Sequence, residues 1–260
     1  MIDLFERLAK DAGAAILDVR SRGFETEHKD DASPVTEADR AAEAIILAGL
    51  RDACPNVPVV AEEEASAGLA PDAVGRRFIL VDPLDGTREF VRGGVDFTVN
   101  IALVEDGTPV AGAVFQPVAD RMYAGDADGA RLNGEPIVCR PRPTKPVIVA
   151  SKSHRTAETN RWIAKVEAGC GPCETTAIGS SLKFCLLAQG AADLYPRFGR
   201  TMEWDTAAGD AVLRSAGGMT FHPDGRAFTY GKPANWNASN DVAFANGWFV
   251  AVGDVAPGLP

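Results

Sequence analysis

The sequence predicts an α/β protein in which helices and mixed β-sheets pack in layers. Segments with apolar residues every three or four positions alternate with short apolar runs, a pattern typical of helices alternating with strands. From Phe97 onwards, the strand-like runs come in pairs joined by tight turns, which indicates antiparallel hairpins rather than a simple doubly wound parallel sheet. The chain has 260 residues, of which 46% are hydrophobic, enough for a sizeable core.

The N-terminal part of the chain is predicted to contain two helices and two strands. Apolar residues at helical spacing from Phe5 to Val19 predict the first helix, and Thr36 opens a second helix that ends near Cys54. The polar segment 27–39, which contains a Ser-Pro break, is predicted to be a loop between them. The two strands, each followed by acidic residues, are predicted at residues 57–61 and 78–81.

The rest of the chain is predicted to contain two hairpins followed by alternating strands and helices. The Pro-rich stretch 139–146 is the predicted boundary between an N-terminal α+β subdomain, residues 1–140, and a C-terminal α/β subdomain, residues 141–260. The predicted elements are hairpins at 97–117 and 121–134, strands at 146–151 and 192–198, and helices at 158–167, 180–190 (closed by Gly190) and 204–218 (from Asp205 to Gly217).

The charge balance excludes several classes of function. Lys and Arg number 26 and Asp and Glu number 36, which gives a net charge of −10 at pH 7. Proteins that bind extended nucleic acid, or that anchor to membranes through a polybasic segment, need a basic surface instead. The first residues lack the apolar core of a signal peptide, and no apolar run approaches the ~20 residues of a membrane span. A cytoplasmic protein without a transmembrane segment is expected.

Carboxylates lie at the ends of several predicted elements. Glu62 follows the first strand, Asp82 and Asp85 follow the second, and Asp39 and Asp205 lie at the starts of helices. This placement brings acidic side chains to the edges of the predicted layers, where functional groups are commonly found.

Most of these acids also have a purely structural interpretation. Asp39 fits a capping box with Thr36, Asp205 fits a helix N-cap, and Glu62 fits a solvated acidic turn. Asp82 is harder to explain in this way, because it directly follows an apolar strand and a buried carboxylate needs a cationic partner.

Clustered carboxylates without His or Cys partners repel one another unless a cation lies among them. Oxygen-only ligands suit hard divalent ions, and Mg²⁺ held by a few carboxylates together with water and a substrate phosphate is the natural assignment. Gly86 and Thr87 follow Asp85 at a predicted helix N-terminus, where backbone amides bind anions. The residues alone therefore indicate metal-dependent phosphate chemistry.

Two motifs resemble the signatures of the inositol monophosphatase superfamily. They are DPLDGT-x-x-F at residues 82–90 and WDTAAGDAVLRSAGG at residues 204–218, in the order and at about the separation that the family shows. The segments 29–39 and 61–64 match two further metal-site segments of the family. Within the superfamily, the chain resembles the CysQ-type 3'(2'),5'-bisphosphate nucleotidases, on the basis of Glu89 and of residues 89–104, 179–198 and 203–210.

The resemblance implies a fold and an activity. The fold is an α-β-α-β-α sandwich with mixed sheets, and the activity is removal of the 3'-phosphate from 3'-phosphoadenosine 5'-phosphate to give AMP and phosphate. The same resemblance implies two or three Mg²⁺ ions per active site, inhibition by lithium, a role in sulfur assimilation, and a monomer or homodimer that acts on a small nucleotide bisphosphate.

The resemblance also implies roles for individual residues. The metal ligands are Glu62, Asp82, Asp85, the backbone carbonyl of Leu84, and Asp205 in the second metal site. Asp39 and Thr87 position and deprotonate the attacking water. The phosphate is held by the amides of Gly86, Thr87 and Arg88, and the nucleotide is contacted by His154, Ser180, Lys183 and Arg197.

Three alternative functions are also compatible with the sequence. Two are enzymatic: an inositol or sugar monophosphatase, and a phosphatase that acts on the 5'-phosphosulfate form of the nucleotide. The third is a metal- or nucleotide-binding protein without catalytic activity. The complete set of acidic motif residues argues against the third, because a decayed enzyme is expected to have lost some of them.

Overall fold

The computed structural model describes residues 1–28, 34–71, 74–151, 155–234 and 242–256. Two large sheets in this part of the chain have seven and five strands, and a third has two. None of the helices in the described ranges has the length and apolar composition needed to cross a lipid bilayer.

The seven-stranded sheet has the strand order β3-β4-β5-β6-β7-β8-β9. β3 is parallel to β4, and every later pair is antiparallel, so both predicted hairpins are confirmed. The strands are β3 (Val59–Ala61), β4 (Arg77–Asp85), β5 (Thr98–Glu105), β6 (Thr108–Gln116), β7 (Arg121–Asp126), β8 (Gly129–Leu132) and β9 (Glu135–Ile137).

The five-stranded sheet has the strand order β11-β10-β12-β14-β13. β10 is parallel to β11 and β12, whereas β14 is antiparallel to β12 and β13, so this sheet is mixed as well. Its strands are β10 (Ile148–Ser151), β11 (Thr175–Ile178), β12 (Leu194–Arg197), β13 (Met219–Phe221) and β14 (Phe249–Val252).

The α-helices separate and cover the two large sheets. They are α1 (Ile2–Arg22), α2 (Glu37–Ala53), α3 (Glu62–Ser66), α4 (Thr87–Val91), α5 (Ala157–Cys170), α6 (Leu182–Ala188) and α7 (Ala207–Ser215). One apolar core joins α1 and α2 to one face of the seven-stranded sheet. A second core lies between the two sheets and contains α6 and α7, and a third joins α5 to the outer face of the five-stranded sheet.

This layering confirms the predicted α-β-α-β-α sandwich. Successive side chains of β4 pack in different cores and so hold the layers together. Ile79 and Val81 pack in the core with α1 and α2, while Phe78 and Leu80 pack in the core with α6 and α7. A strand that is covered on both faces is apolar at successive positions, which explains the continuous run at residues 78–81. The division at residue 140 stays a prediction.

Three local predictions need correction. The segment 27–39 is not a loop throughout: β1 (Thr26–His28) pairs antiparallel with β2 (Pro34–Thr36), and residues 29–33 lie outside the described part. The acidic run that begins at Glu62 forms the short helix α3 rather than a solvated turn. Asp205 is not a helix cap, because α7 begins at Ala207 with Thr206 at the N-cap.

Candidate active site

An irregularity in β4 brings Asp82 and Asp85 to the same cavity. Asp82 lies opposite Asn100 of β5 and Asp85 lies opposite Thr98, so three steps along β4 match two steps along β5. The extra residue is a bulge, which shifts the alternation of side chains by one position. Without it, residues three apart on a strand would point to opposite faces of the sheet.

Most of the predicted site residues line one cavity of about 250 Å³. The cavity lies where the C-terminal end of β4 meets the segments before α6 and α7. The predicted residues that line it are Glu62, Asp82, Leu84, Asp85, Gly86, Thr87, Arg88, Ser180, Lys183, Arg197 and Asp205. The remaining two are Asp39, which is buried beside Thr87, and His154, which lies outside the described residues.

Three carboxylates from separate elements converge in this cavity. Glu62 begins α3, Asp82 lies in β4, and Asp205 precedes α7; each offers an oxygen, and these oxygens lie within 4.8 Å of one another. Burial raises the pKa of Asp205 to about 8, and the negative charges of Asp85 and Glu62 add to this effect. Carboxylates this close repel one another unless a cation lies among them, and an all-oxygen set suits a hard divalent ion.

The capping box at the start of α2 also connects to the cavity. Asp39 Oδ2 accepts hydrogen bonds from the Thr36 amide and the Thr36 hydroxyl, both at 2.8 Å. Its other oxygen, Oδ1, lies 3.1 Å from the Thr87 hydroxyl, which lies at the same distance from the Leu84 carbonyl oxygen. The structural and functional interpretations of Asp39 are therefore compatible, because each uses a different oxygen.

Glu43 fixes the start of α3, and it has no counterpart among the residues predicted from sequence. Its two carboxylate oxygens accept hydrogen bonds from the amides of Glu63 at 2.8 Å and Glu64 at 2.9 Å. Burial raises the pKa of Glu43 to about 7 against the opposing effect of these two bonds. A glutamate on a helix gives no sequence signal that distinguishes it from a solvated one.

Asp85 is held by residues that come from distant parts of the chain. Its Oδ2 accepts hydrogen bonds from the Ser181 amide at 2.6 Å and from the Ser181 hydroxyl at 2.9 Å. Burial raises the pKa of Asp85, while the charge of Lys183 opposes that rise. The family resemblance indicates the neighbouring Ser180 but not Ser181, because the local sequence does not rank two adjacent serines.

Two buried cations, Lys183 and Arg197, line the same cavity as the carboxylates. Lys183 is 6% exposed, and its ammonium donates hydrogen bonds to the carbonyl oxygens of Ser180 and Ile178. Burial lowers the pKa of Lys183 to about 8. Arg197 is 8% exposed and donates through Nη2 to the Arg200 carbonyl oxygen at 2.9 Å. Among the described residues, Arg197 Nε and the buried Ser180 hydroxyl have no hydrogen-bond partner.

A buried ion pair stabilises the loop that carries Asp205. The fully buried Glu203 accepts a hydrogen bond from the Lys232 ammonium at 2.9 Å, and Lys232 lies 3.1 Å from Asn246 Oδ1. Asn246 Nδ2 in turn donates to the Met202 carbonyl oxygen at 2.8 Å. Within the loop, the Met202 amide donates to Asp205 Oδ2 at 2.8 Å, which fixes the direction of that carboxylate.

Comparison with known proteins identifies the class to which this fold and cavity belong. Residues 1–247 match the inositol monophosphatase family, and the chain belongs to that family. Members of the family are metal-dependent, and the cluster of Glu62, Asp82 and Asp205 could hold a metal ion.

The relatives narrow the class further. The chain is 43% identical over 236 residues to the 3'(2'),5'-bisphosphate nucleotidase CysQ of Escherichia coli K12, and the match covers 88% of this chain and 94% of that protein. It is 37% identical over 257 residues to CysQ of Buchnera aphidicola, covering 96% and 93% of the two chains. These matches confirm the predicted superfamily and its CysQ-type branch.

Solved structures give the same result for the fold. The crystal structure of CysQ from Bacteroides thetaiotaomicron has a TM-score of 0.79 and 32% identity, covering 97% of this chain and 96% of that one. An IMPase from Thermotoga maritima has a TM-score of 0.76 and 26% identity, covering 96% and 91%.

Proposed function

We propose that the protein is a Mg²⁺-dependent 3'(2'),5'-bisphosphate nucleotidase that removes the 3'-phosphate of 3'-phosphoadenosine 5'-phosphate, giving AMP and phosphate. The observation that carries the proposal is one cavity lined both by a carboxylate cluster and by the buried cations Lys183 and Arg197. Carboxylates bind metal ions, which in turn bind the reacting phosphate. Cationic side chains bind a second phosphate group directly. The identity to CysQ proteins supports the same substrate class.

The acidic residues would hold two or three Mg²⁺ ions. Glu62, Asp82, Asp85 and the Leu84 carbonyl are assigned to the first site, and Asp205 completes the second. The all-oxygen donor set fits Mg²⁺, and the negative charges of Asp85 and Glu62 add to the burial that raises the pKa of Asp205. When bound, such ions increase the acidity of water and offset the charge that develops on phosphate oxygens.

Asp39 and Thr87 are assigned to the attacking water. The Thr87 hydroxyl can donate its proton to Asp39 Oδ1 while its oxygen accepts a proton from water in the cavity. The bonds from Thr36 hold the other oxygen of Asp39, so the carboxylate cannot turn away from Thr87. The pair thus forms a short route for proton removal from the nucleophile.

The turn after Asp85 is assigned to the transferred phosphate through the amides of Gly86, Thr87 and Arg88. Gly86 has φ of 97°, a left-handed conformation, and a Cβ at this position would lie 3.0 Å from the Asp96 carbonyl oxygen. Glycine therefore permits the turn that leads into α4. The first amides of a helix have no acceptor within the helix, so they are available to bind an anion. Ser180, Lys183, Arg197 and His154 are assigned to the nucleotide.

The substrate is a small molecule, and we assign the enzyme to the cytoplasm as a monomer or homodimer that does not bind nucleic acid. An inositol or sugar monophosphatase is the second candidate, favoured by 32% identity to inositol monophosphatase 3 of Solanum lycopersicum.

Phosphate release with Mg²⁺ from a substrate panel tests the proposal. The panel contains 3'-phosphoadenosine 5'-phosphate, its 5'-phosphosulfate form, inositol 1-phosphate and fructose 1,6-bisphosphate. Fastest turnover of the first is expected. Preference for inositol 1-phosphate would support the second candidate, and no release from any substrate would support a binding protein.

Two variants test the basis of the nucleotide assignment. Lys183→Ala and Arg197→Ala should weaken turnover of the bisphosphorylated nucleotide at least tenfold more than turnover of a monophosphate, because each removes a buried cation. Equal losses on both substrates would remove the argument for a second phosphate subsite.

A further inference from the structure

We propose that Ser181 is a positioning residue of the metal site, which joins the carboxylate of Asp85 to the loop that carries Asp205. Ser181 lies between β11 and α6 and is buried. The inference rests on the proposed function, because that proposal assigns Asp85 and Asp205 as metal ligands.

Ser181 holds Asp85 through both its backbone and its side chain. Both the amide of Ser181, at 2.6 Å, and its hydroxyl, at 2.9 Å, reach the same oxygen, Asp85 Oδ2. Two donors on one oxygen fix the plane of the carboxylate. Among the described residues, the hydrogen bonds to this carboxylate all go to Oδ2, so Oδ1 is left for a cation.

Ser181 also contacts the backbone of Asp205. The Ser181 hydroxyl oxygen lies 2.7 Å from the Asp205 carbonyl oxygen. A hydroxyl has one proton, so it donates either to this carbonyl or to Asp85 Oδ2 at a given moment. The amide bond to Asp85 persists in both cases. Ser181 therefore links β4 of the seven-stranded sheet to the loop before α7, and these segments are 120 residues apart in the chain.

Asn100 orients the hydroxyl from the other side. It is buried in β5 opposite Asp82, and its Nδ2 donates to the Ser181 hydroxyl oxygen at 2.9 Å. The same nitrogen lies 3.5 Å from Asp85 Oδ2. Because Asn100 occupies a lone pair of the hydroxyl oxygen, the hydroxyl proton is directed towards its two acceptors, both of which belong to assigned ligand residues.

Ser181→Ala tests the inference through metal binding without substrate. Removing the hydrogen-bonding partner of a metal ligand typically costs 10–100-fold in metal affinity. The retained amide bond to Asp85 places the expected loss at the lower end, about tenfold. Titration calorimetry with Mg²⁺, repeated with Mn²⁺, measures it. At saturating Mg²⁺, the KM for 3'-phosphoadenosine 5'-phosphate should change by less than about twofold, because Ser181 acts on the ligands.

Ser180→Ala is the matched control, since it removes the neighbouring hydroxyl. Ser180 is assigned to the nucleotide, so Ser180→Ala should leave the Mg²⁺ affinity unchanged and raise the KM, the reverse of the result expected for Ser181→Ala. Asn100→Ala adds a second test, with a smaller loss of Mg²⁺ affinity than Ser181→Ala. The double variant should lose little more than Ser181→Ala alone, because Asn100 acts largely through Ser181.

A Ser181→Ala protein with the native circular dichroism spectrum and wild-type Mg²⁺ affinity would overturn the inference. If that variant does not fold, wild-type affinity in Asn100→Ala overturns it instead. A wild-type protein that binds neither Mg²⁺ nor Mn²⁺ would overturn both this inference and the metal site. Metal binding without nucleotidase activity would overturn only the proposed function, and the affinities of the variants would still decide the role of Ser181.

Discussion

Glu43 couples the protein's stability to pH, and Glu43→Gln should reveal the coupling. Glu43 is 5% exposed, and burial raises its pKa from 4.5 to about 7. A group whose pKa is raised in the folded state contributes stability below its unfolded pKa, and this contribution is lost as the pH rises through the folded pKa. Stability attributable to Glu43 should therefore fall between pH 4.5 and pH 7.

The size of the effect follows from the pKa difference. One pKa unit corresponds to 1.36 kcal/mol, so the whole effect is about 3 kcal/mol. Between pH 5.5 and pH 8.5, about 2 kcal/mol of this stability is lost. The remainder has already been lost below pH 5.5. Gln resembles the protonated side chain and does not titrate. The stability of Glu43→Gln relative to the wild type should therefore rise by about 2 kcal/mol over this interval.

Urea denaturation at several pH values measures the difference. A chelator should be present, because metal bound to the native state would add its own stabilisation. Titrating groups that do not interact with Glu43 are common to both proteins and cancel in the comparison. Glu37→Gln, an exposed substitution on the same helix, is the control for the general effect of replacing a carboxylate by an amide. A difference for Glu43→Gln that stays constant within about 0.5 kcal/mol, or changes in the opposite direction, would refute the reasoning.

Three further predictions concern the assigned site and its support. Asp82→Asn or Asp205→Asn should abolish phosphate release while the circular dichroism spectrum stays native; near-normal activity in either would contradict the metal assignment. Thr87→Ala should lower kcat more than it raises KM, since the lost hydroxyl acts on the nucleophile, and steady-state kinetics would show a pure KM effect if this were wrong. Lys232→Met should cost about 3 kcal/mol in urea unfolding, because it leaves the buried carboxylate of Glu203 without its cation; a loss under about 1 kcal/mol would argue against a strong pair.

The sequence predicts the acids that line the cavity because they lie where strands end. β3 and β4 are parallel, so Glu62 and Asp82 reach the same edge of the sheet, and this can be inferred from the order of elements alone. The bulge that aligns Asp82 with Asp85 is less predictable. Pro83 indicates a disturbance of the strand, but the register against β5 depends on pairing between distant segments.

Residues that position other residues were not predictable in the same way. Ser181 and Asn100 are 81 positions apart, and nothing in their local sequence indicates that they touch. Glu43 has the spacing of an ordinary helix residue, and its function as a cap for α3 depends on how α2 packs. For Asp205, the sequence predicts the position of a helix start to within two residues but assigns the wrong contact. The Asp205 carboxylate lines the cavity and does not cap α7.

The cavity brings several carboxylates close together, and their mutual repulsion lowers the stability of the folded protein unless other interactions offset it. Glu62, Asp82 and Asp85 come from segments around the seven-stranded sheet, while Asp205 comes from the layer that packs against it. Burial raises the pKa of Asp85 and of Asp205, and for Asp205 the negative charges of Asp85 and Glu62 add to the effect, so the ionised forms of both carboxylates are disfavoured. The fixed bonds around the cluster, from Ser181 to Asp85 and from the Met202 amide to Asp205, hold these carboxylates in place despite their repulsion. Carboxylates held by such bonds need less ordering when a cation binds, so less of the binding free energy is spent on arranging them.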